Sequence, residues 1–219
     1  MVNSLCLKRP RAQELYTGVD GLDRFVAGFS LAEIYGEWNT VNNLFHTVLS
    51  QTGGDVILTQ KFGGLDPYLI SRMSAARFSR PRIRLIRAFS TKDTIESLNQ
   101  CVGEVKEPLF VIDPYLYSPK TWREYSELTP LTAALRDASK SRNVMVFNRI
   151  TRFGSLSPEG GMFHASSIPV LIRVESLRRT LRFTVVKHPA LPNLTIHVDK
   201  RILSGETVWE EQLPLTEWL

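Results

Sequence analysis

The sequence predicts an α/β domain with a mostly parallel central sheet, helices on both faces and a C-terminal antiparallel extension. Three observations predict it. Short β-branched runs alternate with longer amphipathic stretches from Leu31 to Asn148, the order that βαβ crossovers require. Residues 108–113 (PLFVID) are almost wholly apolar, as a strand buried on both faces must be. After Arg149 the pattern changes to a Gly/Ser/Pro-rich stretch, 153–167, followed by three closely spaced strand-like runs.

The elements follow in order. Residues 31–36 (LAEIYG) read as the first strand. In 40–51, Val41, Leu44, Phe45, Val48 and Leu49 recur at helical spacing. Residues 55–59 (DVILT) are a second strand, and 65–78 a second helix with Leu69, Ile70 and Met73 on one side. Residues 83–88 and 91–102 give a third strand and helix, 108–113 the fourth strand, 131–140 the fourth helix and 144–148 the fifth strand. Residues 170–175, 181–187 and 194–198 read as antiparallel strands extending the sheet.

At 219 residues the chain fits one compact domain, with an N-terminal segment 1–16, a core 17–205 and a tail 206–219. Apolar residues at 43% and charged residues at 22% exclude a disordered chain. No apolar run is long enough to cross a bilayer, and the first ten residues lack the apolar centre of a secretory signal, so a cytoplasmic protein without a membrane role is expected. Cys6 and Cys101 make no disulfide framework, and His46, His164, His188 and His197 lack metal-ligand spacing. His46 and His197 read as satisfied or surface histidines, and no metal or cofactor is expected. A net charge of +5 favours an anionic partner.

Several segments, in order and spacing, resemble the RecA-like core of archaeal RadA recombinases and their shorter RadB paralogues. They are 17–23 (TGVDGLD) with Gly28, 33–37 (EIYGE), 87–89 (RAF), 110–113 (FVID), 146–148 (VFN), Gly160-Gly161 with His164, and 187–192 (KHPALP). The likeness runs from about Thr17 to about Gly205. It implies a short paralogue without the helix-hairpin-helix domain that precedes the RadA core, and with little room for the segment that links such recombinases into filaments.

The resemblance also exposes departures. A working phosphate loop reads G-x-x-x-x-G-K-[ST], its glycines letting N–H groups curl around phosphate and its lysine and hydroxyl serving phosphate and Mg²⁺. The matching residues 36–43 keep Gly36 but place Val41 at the second glycine, Asn42 at the lysine and Asn43 at the hydroxyl. A β-branched Val41 resists a left-handed turn. Trp38 is expected to fill part of the nucleotide space. Gln60 stands where the family carries the glutamate that activates water, and an amide cannot accept that proton. Arg149 replaces the polar residue after the fifth-strand asparagine, while the Walker B aspartate survives as Asp113, readable also as a strand-end cap. The expectation is a degenerate nucleotide site at Gly36, Val41, Asn42, Asn43, Gln60 and Asp113, and no ATPase activity.

Function then falls to binding surfaces. Residues 149–163 match the family's second DNA loop and offer Arg149 and Arg152 for phosphates, Phe153 and Phe163 for stacking, and Gly154, Gly160 and Gly161 for flexibility. The plainer alternative is a surface loop with Met162 and Phe163 packed inside. Tyr115, Tyr117, Lys120, Trp122, Arg123 and Tyr125 begin where the first DNA loop would, or else Trp122 and Tyr125 pack under a short helix. Arg72, Arg77, Arg80, Arg82, Arg84 and Arg87 form either a phosphate stripe or the charged guard of an edge strand; Arg178, Arg179 and Arg182 read as a solvated hairpin. Residues 207–219 are acidic and aromatic and suit docking on this domain or a partner. The expected function is a non-catalytic RadA paralogue that assists homologous recombination and repair by binding single-stranded DNA, the active recombinase, or both. The alternatives are an atypical nucleotide-binding regulator that governs oligomer state and a structural subunit beside an active ATPase paralogue.

Overall fold

Eight strands form one sheet in the order β3-β2-β4-β5-β1-β6-β7-β8. They are β1 (Leu31–Gly36), β2 (Gly54–Leu58), β3 (Ile83–Arg87), β4 (Leu109–Ile112), β5 (Val144–Arg149), β6 (Val170–Ser176), β7 (Thr180–Lys187) and β8 (Thr195–Asp199). The computed structural model describes residues 15–19, 21–60, 62–76, 81–101, 107–118, 121, 126–153, 155–191 and 193–204. The helices are α1 (Asp23–Val26), α2 (Trp38–Thr52), α3 (Pro67–Ala76), α4 (Thr91–Gln100), α5 (Thr129–Ser139) and α6 (Gly161–Ser167). A 3-10 turn, Lys200–Leu203, follows β8. Among the described residues, no helix is long and apolar enough to cross a membrane.

The expected α/β architecture is present. β6 pairs in parallel with β1, so β1 to β6 all run in one direction, and among the strands only the β6–β7 and β7–β8 pairings are antiparallel. The three C-terminal strands pair antiparallel in succession, as the sequence pattern predicts; the parallel pairing of β6 with β1 is not part of that expectation. The intervening α6 lies in the Gly/Ser/Pro-rich stretch and supplies the crossover that parallel pairing needs. The four-residue α1 is likewise absent from the sequence expectation.

Period-two alternation divides the core into two layers. Ala32 and Ile34 of β1 face α2 with Val56, Phe110, Met145 and Phe147. Leu31 and Tyr35 face the opposite side with Ile57, Leu109, Val144 and the α5 residues Leu131 and Leu135. β1, β2 and β4 are buried throughout, which accounts for their largely apolar wording, interrupted only by Glu33 and Asp55. α2 ends at Gly53, whose φ of 61° and close approach to the Arg82 carbonyl exclude a side chain.

β3 is an edge strand, and Arg82 and Arg84 are exposed there. Arg84 grips Asp55 through Nε and Nη2 at 2.9 and 2.6 Å, and Arg142 donates to the same carboxylate at 2.9 Å. Burial alone would push the Asp55 carboxyl up, but hydrogen bonds from Arg84 and then Arg142 outweigh it and hold the group below the usual range.

His46 is the satisfied histidine the sequence suggests. Asp66 N–H donates to Nε2 at 2.8 Å, so Nδ1 carries the proton and donates to the Asn42 carbonyl at 2.6 Å. Burial first of all lowers its pKa below 6.5, against the pull of Asn42 and Asp66. A neutral native histidine makes the unfolded chain the better proton binder just below pH 6.5, so stability falls as pH drops through that window. Tm should therefore decline between about pH 7 and about pH 5.5, and His46→Gln should flatten that segment of the Tm–pH profile.

Candidate functional site

The connection from β1 runs to β2 on one side of it, and the connection from its neighbour β5 runs past β1 to β6 on the other. The sheet's switch point lies between β1 and β5, where α/β folds open a crevice beyond the strand C-termini. A cavity of about 420 Å³ sits there, lined by Gly36, Glu37 and Trp38 after β1, Tyr115 after β4, and Arg149 and Arg152 at and after β5.

Among the described residues, no glycine-rich phosphate loop surrounds this cavity. α2 begins at Trp38, one residue beyond the strand, so most of the 36–43 segment is helix. The N–H groups of Thr40 and Val41 are already bonded to the Glu37 carbonyl. Val41 is fully buried inside α2, and Asn42 and Asn43 pass their carbonyls to His46 and Thr47 a turn further on. The expected clash of Val41 with a left-handed turn never arises, because the chain makes no such turn. Gly36 persists for packing: a Cβ there would collide with the Val174 carbonyl of β6.

The other expected residues do converge. Asp113 ends β4 in a left-handed conformation, φ 54°, which aspartate tolerates. Its carboxylate is fully buried and meets the Arg149 guanidinium, with Nε 2.9 Å from both oxygens and Nη2 2.6 Å from Oδ2. Gln60 adds a side-chain hydrogen bond. Burial pushes the Asp113 carboxyl above the usual range, and Arg149, then Gln60, pull it back only in part. The guanidinium carbon stands 4.4 Å over the Trp38 ring, a stacked cation–π contact. Asp113 is thus an ion-pair partner and no simple cap, and Arg149 is committed to this pair.

Beneath the cavity lies a buried polar chain. Glu33, on the α5-facing side of β1, accepts from Asn148 Nδ2 at 2.8 Å through Oε1. Its Oε2 lies 2.5 Å from His164 Nε2, and His164 Nδ1 lies 2.8 Å from the Tyr115 hydroxyl, itself 2.8 Å from Thr132 Oγ1. All these side chains are buried, so every member needs its neighbour. Tyr115 is a core residue and cannot act as a base platform. Sequence reasoning misses Glu33 as a functional position, although a lone acid in an apolar strand is a signal.

The segment after β5 is a small hairpin. Ile150 bridges Pro158, and backbone bonds join Thr151 to Ser157 and Glu159 to Arg149. The Tyr35 hydroxyl anchors it by donating to the Leu156 carbonyl at 3.0 Å. Burial pushes the Tyr35 pKa up to about 12, so that donor persists at neutral pH. Phe153 and Leu156 are exposed, and Arg152 holds Glu159 only at 3.7 Å. Met162 and Phe163 are also exposed, at 90% and 51%, which corrects the alternative that packs them inside. Gly160 caps α6 with φ 109°, and a Cβ there would press 2.8 Å from the Tyr115 ring. It serves close packing and not flexibility; Gly161 starts the helix. Gly154, Lys120, Trp122, Arg123 and Tyr125 lie outside the described residues, as do Arg77, Arg80 and residues 205–219.

Removing Arg149 strands a buried carboxylate. Arg149→Ala should cost stability near the low end of the roughly 3–5 kcal/mol of a broken buried pair, because a third of the arginine side chain meets solvent. Arg152→Ala should change stability by no more than about 0.5 kcal/mol. Urea denaturation of the two variants beside the parent tests this ranking.

No protein-family model matches the chain, and no curated protein matches it. Among solved structures it is similar to the crystal structure of the RadB recombinase, with a TM-score of 0.67 and 17% identity over 87% of this chain and 97% of that one. It is similar also to a second solved structure, an ATPase domain, with a TM-score of 0.62 and 10% identity over 89% and 90% of the two chains. The architecture of this chain is the RecA-like α/β fold.

Proposed function

We propose that this chain is a catalytically inert RadA paralogue that serves homologous recombination and repair by binding single-stranded DNA, the active recombinase, or both. One observation carries the reading: Arg149 of the chain itself stands against Asp113 and over Trp38, at the place where a RecA-like ATPase holds its metal and phosphates. A cation already neutralises the strand-end carboxylate, and helix α2 replaces the loop of N–H groups that would cradle a triphosphate. Gln60 offers an amide hydrogen bond where a base would be required.

The binding surface in this reading is the hairpin and the start of α6. Arg152 supplies charge, while Phe153, Phe163, Leu156 and Met162 present apolar surface on one end of the sheet. Aromatic faces beside a cation suit stacked, sequence-tolerant single-strand binding. The cavity of about 420 Å³ favours a second reading, in which a nucleotide binds without turnover and regulates assembly.

Fluorescence anisotropy with labelled single- and double-stranded DNA, with and without ATP and Mg²⁺, separates the readings. Salt-sensitive single-strand binding is expected, unaffected by nucleotide. Phe153→Ala should weaken it about tenfold, within the ~1–3 kcal/mol of a stacked base. Arg152→Ala should reduce the log–log salt slope by about 0.7, one phosphate contact. Equal affinity of both variants and the parent sinks the hairpin assignment. A rise in Tm with MgATP supports the nucleotide regulator, and hydrolysis above background that Asp113→Ala abolishes refutes the inert reading.

A further inference from the structure

The charge of the sequence is divided in an unusual way. Between Ser71 and Arg87 stand six arginines and no acid. Residues 205–219 (GETVWEEQLPLTEWL) carry four glutamates, two tryptophans and no base. The fold brings the residues just before the second segment toward the first. The 3-10 turn Lys200–Leu203 packs on α2, and α3 packs on α2 beside it. A single buried hydroxyl, Thr47 Oγ1, contacts both the Ile202 carbonyl at 3.4 Å and Met73 Sδ of α3 at 4.0 Å. The chain therefore leaves Ser204 from above the α2–α3 junction.

What α3 presents outward is unusual for a surface left bare. Tyr68 is 88% exposed, and Arg72, one helical turn further on, is exposed beside it. Phe62, in the connection leading to α3, is 90% exposed. Arg82 is exposed beyond the helix, at the edge strand. Aromatic rings flanked by arginines complement an acidic segment bearing apolar and tryptophan side chains, through both charge and cation–π contact. Fifteen residues extended reach on the order of 50 Å, so the length suffices to cross a ten-residue helix of roughly 15 Å.

We infer that residues 205–219 dock in cis on the outer face of α3, glutamates against Arg72 and Arg82, and apolar side chains over Phe62 and Tyr68. The acidic segment then holds the arginine face against other polyanions, so nucleic acid is directed to the hairpin at the end of the sheet. The docking itself does not depend on DNA binding.

The test uses the full chain with the photoreactive residue p-benzoylphenylalanine in place of Tyr68, irradiated at micromolar and nanomolar concentration and mapped by mass spectrometry. An intramolecular link to residues 205–219, independent of concentration, is the expected result. Replacing Glu206, Glu210, Glu211 and Glu217 by glutamine should reduce it severalfold, as should Arg72→Glu, with partial recovery when Arg72→Glu is combined with Glu210→Arg. Links to a second copy, no links at all, or a yield indifferent to the four glutamates would overturn the inference. Each variant's Tm is measured alongside; because Tyr68 and Arg72 are exposed, it should match the parent within a few degrees.

Discussion

A guanidinium fixed against a buried carboxylate organises the functional end of this protein. Asp113 leaves β4 in a left-handed turn, fully buried, and only a cation from the neighbouring strand makes that position tenable. Arg149 provides it from the last residue of β5, and Trp38 backs the guanidinium from the first turn of α2. Three strand ends are thereby tied together at the switch point of the sheet. In an ATPase of this architecture the same three ends would be bridged by a ligand. Here the bridge is a side chain of the protein itself, Arg149.

The polar chain from Glu33 to Thr132 does complementary work one layer below. It joins β1, the segment after β4, α5 and α6, and through Asn148 it reaches the Glu159 carbonyl at the base of the hairpin. In the proposed reading the hairpin gains from such support, because side chains held in place lose less entropy when a ligand arrives. The exposed Phe153 and Phe163 are loop and helix-end residues carried on a rigid core, the usual division between scaffold and contact.

Much of the fold is legible because buried parallel strands leave little choice of wording: 108–113 and 31–36 are apolar since both faces are covered. The edge position of β3 is readable from Arg82 and Arg84, which a covered strand would not tolerate. The parallel pairing of β6 with β1 escapes such reading because strand pairing is decided by the crossover, and α6 is seven residues hidden among glycines and serines. At the site, the family resemblance picks out Gln60, Asp113 and Arg149 one by one, but their convergence depends on strands β2, β4 and β5 lying side by side. The start of α2 at Trp38 is obscured by matching 36–43 to a loop, although nothing in Trp38-Asn39-Thr40 forbids helix. Glu33 goes unassigned because its partner His164 lies 131 residues away.

The placement of β1 also bears on how the polypeptide emerges from the ribosome. Leu31 waits for Val144, and Ala32 for Val170, before either flank of the strand is hydrogen-bonded. At ordinary translation speeds that delay is on the order of ten seconds. Meanwhile β2, β3 and β4 can zip among themselves, leaving a greasy hexapeptide idle among other unfinished chains. The negative charge of Glu33, mid-strand, interrupts what would otherwise be an aggregation-prone window. The carboxylate that later seats His164 thus first serves as a gatekeeper of the nascent chain.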